Sequence, residues 1–217
     1  MILLHPSIDP VIFSLGPIDI RWYSLSYILA FLIGSYLIKY LNNPKVTNIN
    51  IKHIDNFFIW AVIGVIIGGR TGYVIFYQFK YFITNPIYIF YIWEGGMSFH
   101  GGLIGMILSM ITFSKIYEIE FFALSDLISV AAPIGLFFGR IANFINVELI
   151  GKLTNFPLAI IYPTIDNLPR HPSQLYEAFL EGILLFIIVF LIYTKKKNIK
   201  KHGYVSCIFL IIYGIFR

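Results

Sequence analysis

Charged residues are scarce in this chain: they make up 12% of its 217 residues, whereas about 25% is usual in soluble domains. A single cysteine, Cys207, excludes a disulfide framework, and a hydrophobic content of 58% excludes a chain that stays unfolded in water. The sequence has neither a collagen-type repeat nor a Ser/Gly/Pro-rich linker. We therefore expect residues 1–217 to form a single integral membrane domain.

Several classes of function lack the residues that they need. The net charge of +5 does not indicate nucleic-acid binding, because the basic residues lie between apolar runs rather than in one patch. One cysteine and five scattered histidines offer no zinc spacing, and no nucleophile-elbow or H-E-x-x-H motif occurs. The N-terminus has no basic stretch or cleavage site of a signal peptide. We expect no metal, no cofactor and no nucleic-acid partner.

Apolar runs close to the ~20 residues that a membrane-crossing helix needs occur six times. The predicted fold class is therefore all-α, a polytopic bundle of transmembrane helices. The predicted spans are Trp22–Ile38, Phe57–Tyr77, Gly95–Phe113, Leu127–Ile145, Ala178–Tyr193 and Tyr204–Phe216. The last run reaches only about 20 Å against a hydrocarbon core of about 30 Å, which suggests that the chain stops inside a helix.

The positions of the basic residues predict the orientation of these spans. Most of the 16 lie in alternate connections, which we expect to face the cytoplasm, so that the N-terminus is periplasmic. These residues are Lys39, Lys45, Lys52, Lys115, Lys195, Lys196, Lys197, Lys200 and Lys201. We interpret the lysine run Lys195–Lys201 as an anchor that fixes the topology, rather than as a lipid-recognition site.

Two arginines, Arg70 and Arg140, lie inside predicted spans. An ionisable group at membrane depth costs at least about 2.5–3.5 kcal/mol, so it usually faces a bundle interior or a wet cavity and serves function. The alternative is a structural role, by snorkelling or by a buried ion pair. The carboxylates considered for such a pair are Glu94, Asp126, Glu148 and Glu177.

The glycine-rich stretch Trp93–Gly105 contains His100. Glycine allows positive φ and close backbone approach. The N–H groups that begin the following helix are therefore candidates to bind an anion such as phosphate, with His100 as a donor or proton acceptor. The alternative is a tight turn that His100 only caps, with glycines that serve packing. Both interpretations stay open from the residues alone.

The segment Gly139–Glu148 is more specific, because it places Arg140, Asn143 and Val147 on one predicted helix face. A guanidinium fork beside an amide suits a phosphate group, with Glu148 at the outer end of the helix. The alternative is interhelical hydrogen bonding by the two asparagines of the segment.

A third polar segment, Arg170–Glu177, leads into the fifth span. Pro172 is typical of a helix start, so we interpret His171 and Ser173 as capping residues. Tyr23, on the first span, is typical of the aromatic belt at a membrane interface.

Four segments of the chain together resemble the prolipoprotein diacylglyceryl transferases. They are Gly68–Tyr73, Trp93–Gly105, Gly139–Gly151 and Arg170–Glu177. The Gly-Arg-x-x-Asn-Phe-x-Asn-x-Glu run at Gly139–Glu148 is the family's signature, and the likeness extends from Asp9–Phe13 to Tyr213–Arg217.

The resemblance implies a multi-pass enzyme of the bacterial inner (plasma) membrane. Such an enzyme moves the sn-1,2-diacylglyceryl group of phosphatidylglycerol onto the thiol of the lipobox cysteine in the signal peptide of a prolipoprotein. A thioether forms and glycerol phosphate is released, which is the first step of lipoprotein maturation. The family also has a seventh span, so the resemblance implies that this chain, with six, is truncated at its C-terminus.

The resemblance also implies roles for residues at matching positions. Catalytic roles fall on Tyr23, His100, Arg140 and Arg217, and substrate-binding roles fall on Arg140, Asn143, Glu148, Gly151 and Tyr213. On this basis Arg140, helped by Arg217, holds the phosphate, and His100 accepts or relays the proton of the thiol. The alternative function is a transporter or channel for an anion that uses Arg70 and Arg140, although no internal repeat supports it. A structural membrane subunit is a third possibility.

Overall fold

The computed structural model describes residues 3–16, 18–196 and 201–217. Contacts divide the chain into two compact units, Met1–Leu41 with Asp126–Arg217 and Asn42–Ser125. The single domain expected over residues 1–217 stays a prediction. Two residues of the predicted lysine anchor, Lys197 and Lys200, lie outside the described residues.

The fold is an all-α polytopic membrane fold, as predicted. Among the described residues, five helical stretches are long and apolar enough to cross a membrane. They are α1 (Trp22–Leu41), α3 (Ile51–Phe76), α5 (Phe99–Ile116), α6 (Phe121–Ile145) and the combined stretch Ser173–Lys195. The last stretch comprises α7 (Ser173–Glu177), a π-helical segment (Ala178–Leu184) and α8 (Leu185–Lys196). The sixth predicted span is the shorter apolar helix α9 (Tyr204–Phe216).

The first unit carries short strands outside its helices. β2 (Val11–Leu15) and β3 (Ile18–Arg21) form an antiparallel hairpin. β1 (Leu3–Leu4) pairs in parallel with β4 (Ile160–Ile161), which pairs antiparallel with β5 (Pro169–Arg170). The N-terminal segment and the connection after α6 therefore share one small sheet.

The start of α9 is fixed by Asp126, a residue of α6 that is 4% exposed. Its carboxylate accepts hydrogen bonds from the backbone N–H groups of Gly203 and Ser206, each at 2.8 Å. These N–H groups belong to the N-cap residue and to the first turn of α9, where no intrahelical acceptor exists. A carboxylate from one helix thus caps another, and this contact sets the position of α9 along α6.

The second unit is centred on the contact between α3 and α5, which glycines make unusually close. A Cβ at Gly68 would lie 2.4 Å from the carbonyl oxygen of Gly101, and one at Gly105 would lie 2.0 Å from that of Gly64. The unit also contains α2 (Pro44–Thr47), α4 (Phe79–Thr84) and two 3₁₀ turns, Pro86–Phe90 and Ile92–Glu94.

Candidate functional site

The candidate site of the first unit is built around Arg140, near the end of α6. Its Nε lies 2.8 Å from Oε2 of Glu177, and its Nη2 lies 3.2 Å from Oε2 of Glu181. The Arg140 side chain is 13% exposed and that of Glu181 is completely buried. Arg140 is therefore held by two carboxylates in a setting with little water, where charge-assisted hydrogen bonds are strong.

Arg217, which follows α9, joins the same group. Its Nη1 lies 2.7 Å from Oε2 of Glu177 and 3.7 Å from Oε1 of Glu181. A single oxygen of Glu177 therefore bridges both arginines. Arg140, Glu177, Glu181 and Arg217 form what we call the arginine–glutamate cluster, in which two positive charges meet two negative ones.

Tyr213 lies one turn before Arg217 on α9, and its carbonyl accepts the Arg217 backbone N–H at 3.0 Å. Its ring stacks on Phe209 with centroids 5.9 Å apart. Because residues four apart share a helix face, Tyr213 lies on the side of α9 that carries Arg217. Cluster and tyrosine thus belong to one region of the first unit.

Glu177 and Glu181 reach Arg140 because the π-helical segment packs closely on α6. A Cβ at Gly182 would lie 2.7 Å from the Cβ and 2.9 Å from the Cα of Phe137. Only glycine fits there, and Phe137 lies one turn before Arg140. Single π-helical turns inside α-helices are often found at functional sites.

Beyond Arg140, α6 ends at Ile145 and the chain turns back on itself. The Nδ2 of Asn143 donates to Oε2 of Glu148 at 2.8 Å, so that Glu148, which lies past the last residue of α6, folds back onto the end of the helix. Val147 has a φ of +57°, so it lies outside the helix. The prediction that Val147 shares the face of Arg140 and Asn143 is wrong, because the helix ends two residues earlier.

The connection after α6 is bound tightly to the start of α7. The backbone N–H of Gly151 donates to the carbonyl of His171 at 3.1 Å, and a Cβ on Gly151 would meet that oxygen at 2.4 Å. The Nε2 of Gln174, which is buried, donates to the carbonyl of Glu148 at 2.6 Å. The close approach of the His171 carbonyl leaves no room for a side chain and explains why residue 151 is glycine.

The capping roles predicted for His171 and Ser173 are wrong. Pro172 does occupy the N-cap position of α7, without a side-chain cap, but the Ser173 hydroxyl donates to the carbonyl of Leu149 at 2.7 Å. The Nδ1 of His171 lies 3.4 Å from the hydroxyl of Tyr176. Both side chains therefore link the connection after α6 to α7 instead of capping the helix.

Two polar pairs stabilise the rest of this loop. Hydrogen bonds from the Arg170 guanidinium lower the pKa of Asp166, and the same contact raises the pKa of Arg170. Burial raises the pKa of the Tyr162 hydroxyl, which donates to Oε1 of Gln174 at 3.2 Å. The pairs order the connection that leads into α7.

Tyr23 lies in the first turn of α1, half-buried, with its ring centroid 5.2 Å from that of Tyr27. No hydrogen bond, ion pair or ring contact joins Tyr23 to the arginine–glutamate cluster in the described part of the first unit.

His100 belongs to the second unit, where it is an exposed residue in the first turn of α5 whose ring lies 5.6 Å from that of Phe99. The N-cap of α5 is Ser98, whose hydroxyl accepts the N–H of Gly101 at 3.2 Å, and the Ser98 carbonyl accepts the N–H of Gly102. The helix start therefore has internal acceptors, and its glycines serve the contact with α3. This supports packing as the role of the glycine-rich stretch.

Arg70, also in the second unit, is 6% exposed and has no carboxylate partner among the described side chains. Its Nε donates to the carbonyl of Ile89, and its Nη1 and Nη2 donate to four others. Those four acceptors are the carbonyls of Gly95, Gly96, Tyr88 and Tyr91. A guanidinium has five N–H groups, and backbone carbonyls accept all five, so Arg70 binds the backbone instead of snorkelling. The side chain of Glu94, one of the partners considered for an ion pair, lies outside what the structure describes.

The structure thus brings Arg140 and Arg217 together and pairs Asn143 with Glu148. Sequence reasoning considered Glu177 only as one possible partner and overlooked Glu181. The signal was present: two carboxylates four residues apart in an apolar run have the spacing of neighbours on one side of a helix, and acids in spans are usually functional.

Helices long enough to cross a membrane, one pair of which carries a cluster of arginines and glutamates, define a multi-pass membrane protein. A family model described as prolipoprotein diacylglyceryl transferase matches residues 10–217. The chain belongs to the prolipoprotein diacylglyceryl transferase family.

Curated relatives carry the same description. A phosphatidylglycerol–prolipoprotein diacylglyceryl transferase of Rickettsia felis is 48% identical over 215 residues, which cover 99% of this chain and 83% of the relative. The proteins of that name in Rickettsia typhi and Rickettsia bellii are 49% and 48% identical, over 99% of this chain and 83% and 82% of their own lengths. The transporter alternative finds no support in these relatives.

Proposed function

We propose that this protein transfers the diacylglyceryl group of phosphatidylglycerol to the thiol of the lipobox cysteine of bacterial prolipoproteins. The observation that carries the proposal is the pair of arginines, Arg140 and Arg217, joined through one carboxylate oxygen of Glu177 at 2.8 and 2.7 Å. Family membership supplies the reaction class. The cluster supplies a reason why this chain suits a phosphate ester.

The reaction needs an anion clamp more than a nucleophile of the enzyme. The substrate thiol, with an ordinary pKa near 8.5, loses its proton, and the thiolate attacks the glyceryl carbon that bears the phosphate. A carbon–sulfur bond forms, the carbon–oxygen bond breaks, and glycerol phosphate leaves with the bonding electrons. Charge builds on the phosphate as it leaves, and preorganised donors that face this charge lower the barrier.

Arg140 is the residue best equipped to hold that phosphate. Two of its three nitrogens contact Glu177 and Glu181, while Nη1 has no hydrogen-bond partner in the described part of the chain. Arg217 is half exposed and uses only Nη1 on the cluster. Free donors on both arginines are thus available to the oxygens of one phosphate group.

The remaining predicted residues take supporting parts in this proposal. Asn143, Glu148 and Gly151 line the lipid site at the end of α6, and Tyr213 and Tyr23 complete it. His100 is the proposed acceptor of the thiol proton, since an imidazole ring carries a nitrogen that can accept a proton. We propose the bacterial inner membrane as the location, with the site open to the periplasmic side.

Transfer of the labelled diacylglyceryl group from phosphatidylglycerol to a lipobox peptide in proteoliposomes tests the proposal. Arg140→Ala should lower the rate at least about a hundredfold, because transition-state stabilisation by a charged donor is lost. Arg140→Lys should also be poor, since a point charge does not reproduce the guanidinium fork. Arg21→Ala, at an arginine whose side chain is 60% exposed, is the matched control and should transfer normally.

Two results would contradict the proposal. Transfer by folded Arg140→Ala at the wild-type rate would remove the phosphate clamp. Absence of transfer by the folded wild-type protein with every lipobox peptide, under conditions in which a relative from Rickettsia is active, would reject the activity itself. Folding is checked by size-exclusion chromatography in detergent.

A further inference from the structure

Glu181 is a completely buried carboxylate that none of the recognised motifs includes. Its Oε2 contacts Nη2 of Arg140 at 3.2 Å, whereas its Oε1 has no hydrogen-bond partner in the described part of the chain and lies 3.7 Å from Nη1 of Arg217. A buried carboxylate is costly unless ionic partners compensate it. The compensating groups here are the two arginines of the proposed phosphate clamp.

The backbone around Glu181 is held in place against α6. Gly182, the next residue, touches Phe137 so closely that a Cβ would lie 2.9 Å from the Phe137 Cα. Phe137 lies one turn before Arg140 on the same helix. The carboxylate of Glu181 and the guanidinium of Arg140 are therefore presented to each other by two backbones in direct contact.

This arrangement limits the orientations that Arg140 can adopt. Glu177 holds its Nε and Glu181 holds its Nη2, so the planar guanidinium is fixed at two of three nitrogens. The third, Nη1, is the one without a partner among the described residues. Glu177 is 23% exposed and binds both arginines, whereas Glu181 is inaccessible and contacts Arg140 from the protein interior.

We infer that Glu181 is a positioning residue of the transfer reaction: it orients Arg140 so that Nη1 meets the phosphate of phosphatidylglycerol. The inference rests on the proposed function and adds to it a residue that acts through Arg140 without touching the lipid. A misplaced clamp weakens contact with the phosphate in both the bound state and the transition state. The lipobox peptide binds through other groups and should not sense the change.

The test compares two variants that differ in how much of the contact they keep. Glu181→Gln keeps the side-chain length and one acceptor oxygen for Arg140, whereas Glu181→Ala keeps neither. We expect Glu181→Ala to lower kcat/KM for phosphatidylglycerol at least about tenfold, as small misplacements of catalytic groups do. Glu181→Gln should recover part of that loss. The KM for the lipobox peptide should stay unchanged in both, and the control Glu118→Ala, at an exposed residue, should match wild type.

A second measurement does not depend on transfer. Phosphatidylglycerol, compared with phosphatidylcholine in the same detergent, should raise the melting temperature of wild type and of Glu181→Gln but not of Glu181→Ala. If wild type gains this stabilisation and Glu181→Ala does not, but wild type transfers nothing, the proposed activity fails, whereas the orientation of Arg140 by Glu181 toward the lipid phosphate is supported. If wild type transfers and folded Glu181→Ala keeps kcat/KM for phosphatidylglycerol within twofold, the inference about Glu181 alone fails.

Equal loss for phosphatidylglycerol and peptide would also overturn the inference, because a purely structural residue would affect both substrates. If Glu181→Ala does not fold, the transfer rates of Glu181→Gln and Glu181→Asp test the inference instead. Glu181→Asp retains the charge but shortens the side chain, so positioning requires that it transfer more slowly than Glu181→Gln. The reverse order would mean that charge, rather than position, is what the site needs.

Discussion

Arg70 donates all five of its guanidinium N–H groups to backbone carbonyls between Tyr88 and Gly96. This one side chain therefore fixes the connection between α4 and α5 by binding five of its carbonyls. Arg140, by contrast, contacts carboxylates through two of its nitrogens, and its third nitrogen has no partner in the described part of the chain. The chemical difference between the two arginines lies in the acceptors that surround them.

Replacement of Arg70 by lysine should destabilise the protein. An ammonium has three donors and no planar fork, so at least two of the five carbonyls lose their bond, at about 1 kcal/mol for each typical bond. We expect Arg70→Lys to lower the melting temperature in detergent, while activity per folded molecule stays close to that of wild type. The exposed control Arg21→Lys should melt as wild type does, and an unchanged melting temperature for Arg70→Lys would contradict this account.

Sequence reasoning found Arg140, Asn143 and Glu148 because polar groups in an apolar run stand out by their cost. It could not separate the role of Arg70 from that of Arg140, since the partners of Arg70 are backbone carbonyls, which every residue has. It overlooked Glu181 for a related reason. The spacing of Glu177 and Glu181 does indicate one side of a helix, but the contact with Arg140 depends on a π-helical segment, whose position the residue pattern does not indicate.

At the scale of elements, α3 and α5 approach through facing glycines. Gly64, Gly68 and Gly72 lie at intervals of four residues, as small residues do in closely packed membrane helices. The atoms that an added Cβ would meet at Gly68 belong to the backbone of α5, which cannot move aside. Packing of this pair therefore depends on the absence of side chains.

Gly68→Ala should separate α3 from α5 and lower the melting temperature clearly. Gly135→Ala is its matched control, because Gly135 lies inside α6 and an added Cβ meets nothing within 4 Å. In the control, the higher helix propensity of alanine should leave stability unchanged or raise it by up to about 1 kcal/mol. Thermal unfolding of both variants in the same detergent checks the pair, and an equal response to both substitutions would exclude backbone contact as the cause.

The helical elements themselves were largely predictable. Each predicted span corresponds to a helix, since a long apolar run with few charges has few other stable states in a membrane. The observed helix bounds differ from the predicted ones where polar residues continue a helix. The fifth span, for example, begins at Ser173, five residues before the predicted start at Ala178. The small sheet formed by β1, β4 and β5 was not predicted, because strands of two residues are too short to show the alternation of polar and apolar residues that marks a strand.

At the scale of the whole molecule, that sheet bears on topology. Because β1 pairs with β4, the N-terminal segment and the connection after α6 must lie on one side of the membrane. In the described part of the chain four long apolar helices separate them, an even number of crossings, which agrees with that requirement. The basic residues then indicate which side it is, since connections rich in lysine remain in the cytoplasm.

Cysteine labelling tests the predicted orientation. In a Cys207→Ala background, Lys152→Cys should react with a membrane-impermeant maleimide in intact spheroplasts, because it lies in the connection that we expect to be periplasmic. Lys52→Cys, exposed in the first turn of α3, should react only after the membrane is permeabilised. The opposite pattern would place the arginine–glutamate cluster, whose α6 leads directly into the Lys152 connection, at the cytoplasmic side. Prolipoprotein cysteines presented at the periplasmic face would then not reach the proposed clamp, so the orientation and the activity can be tested against each other.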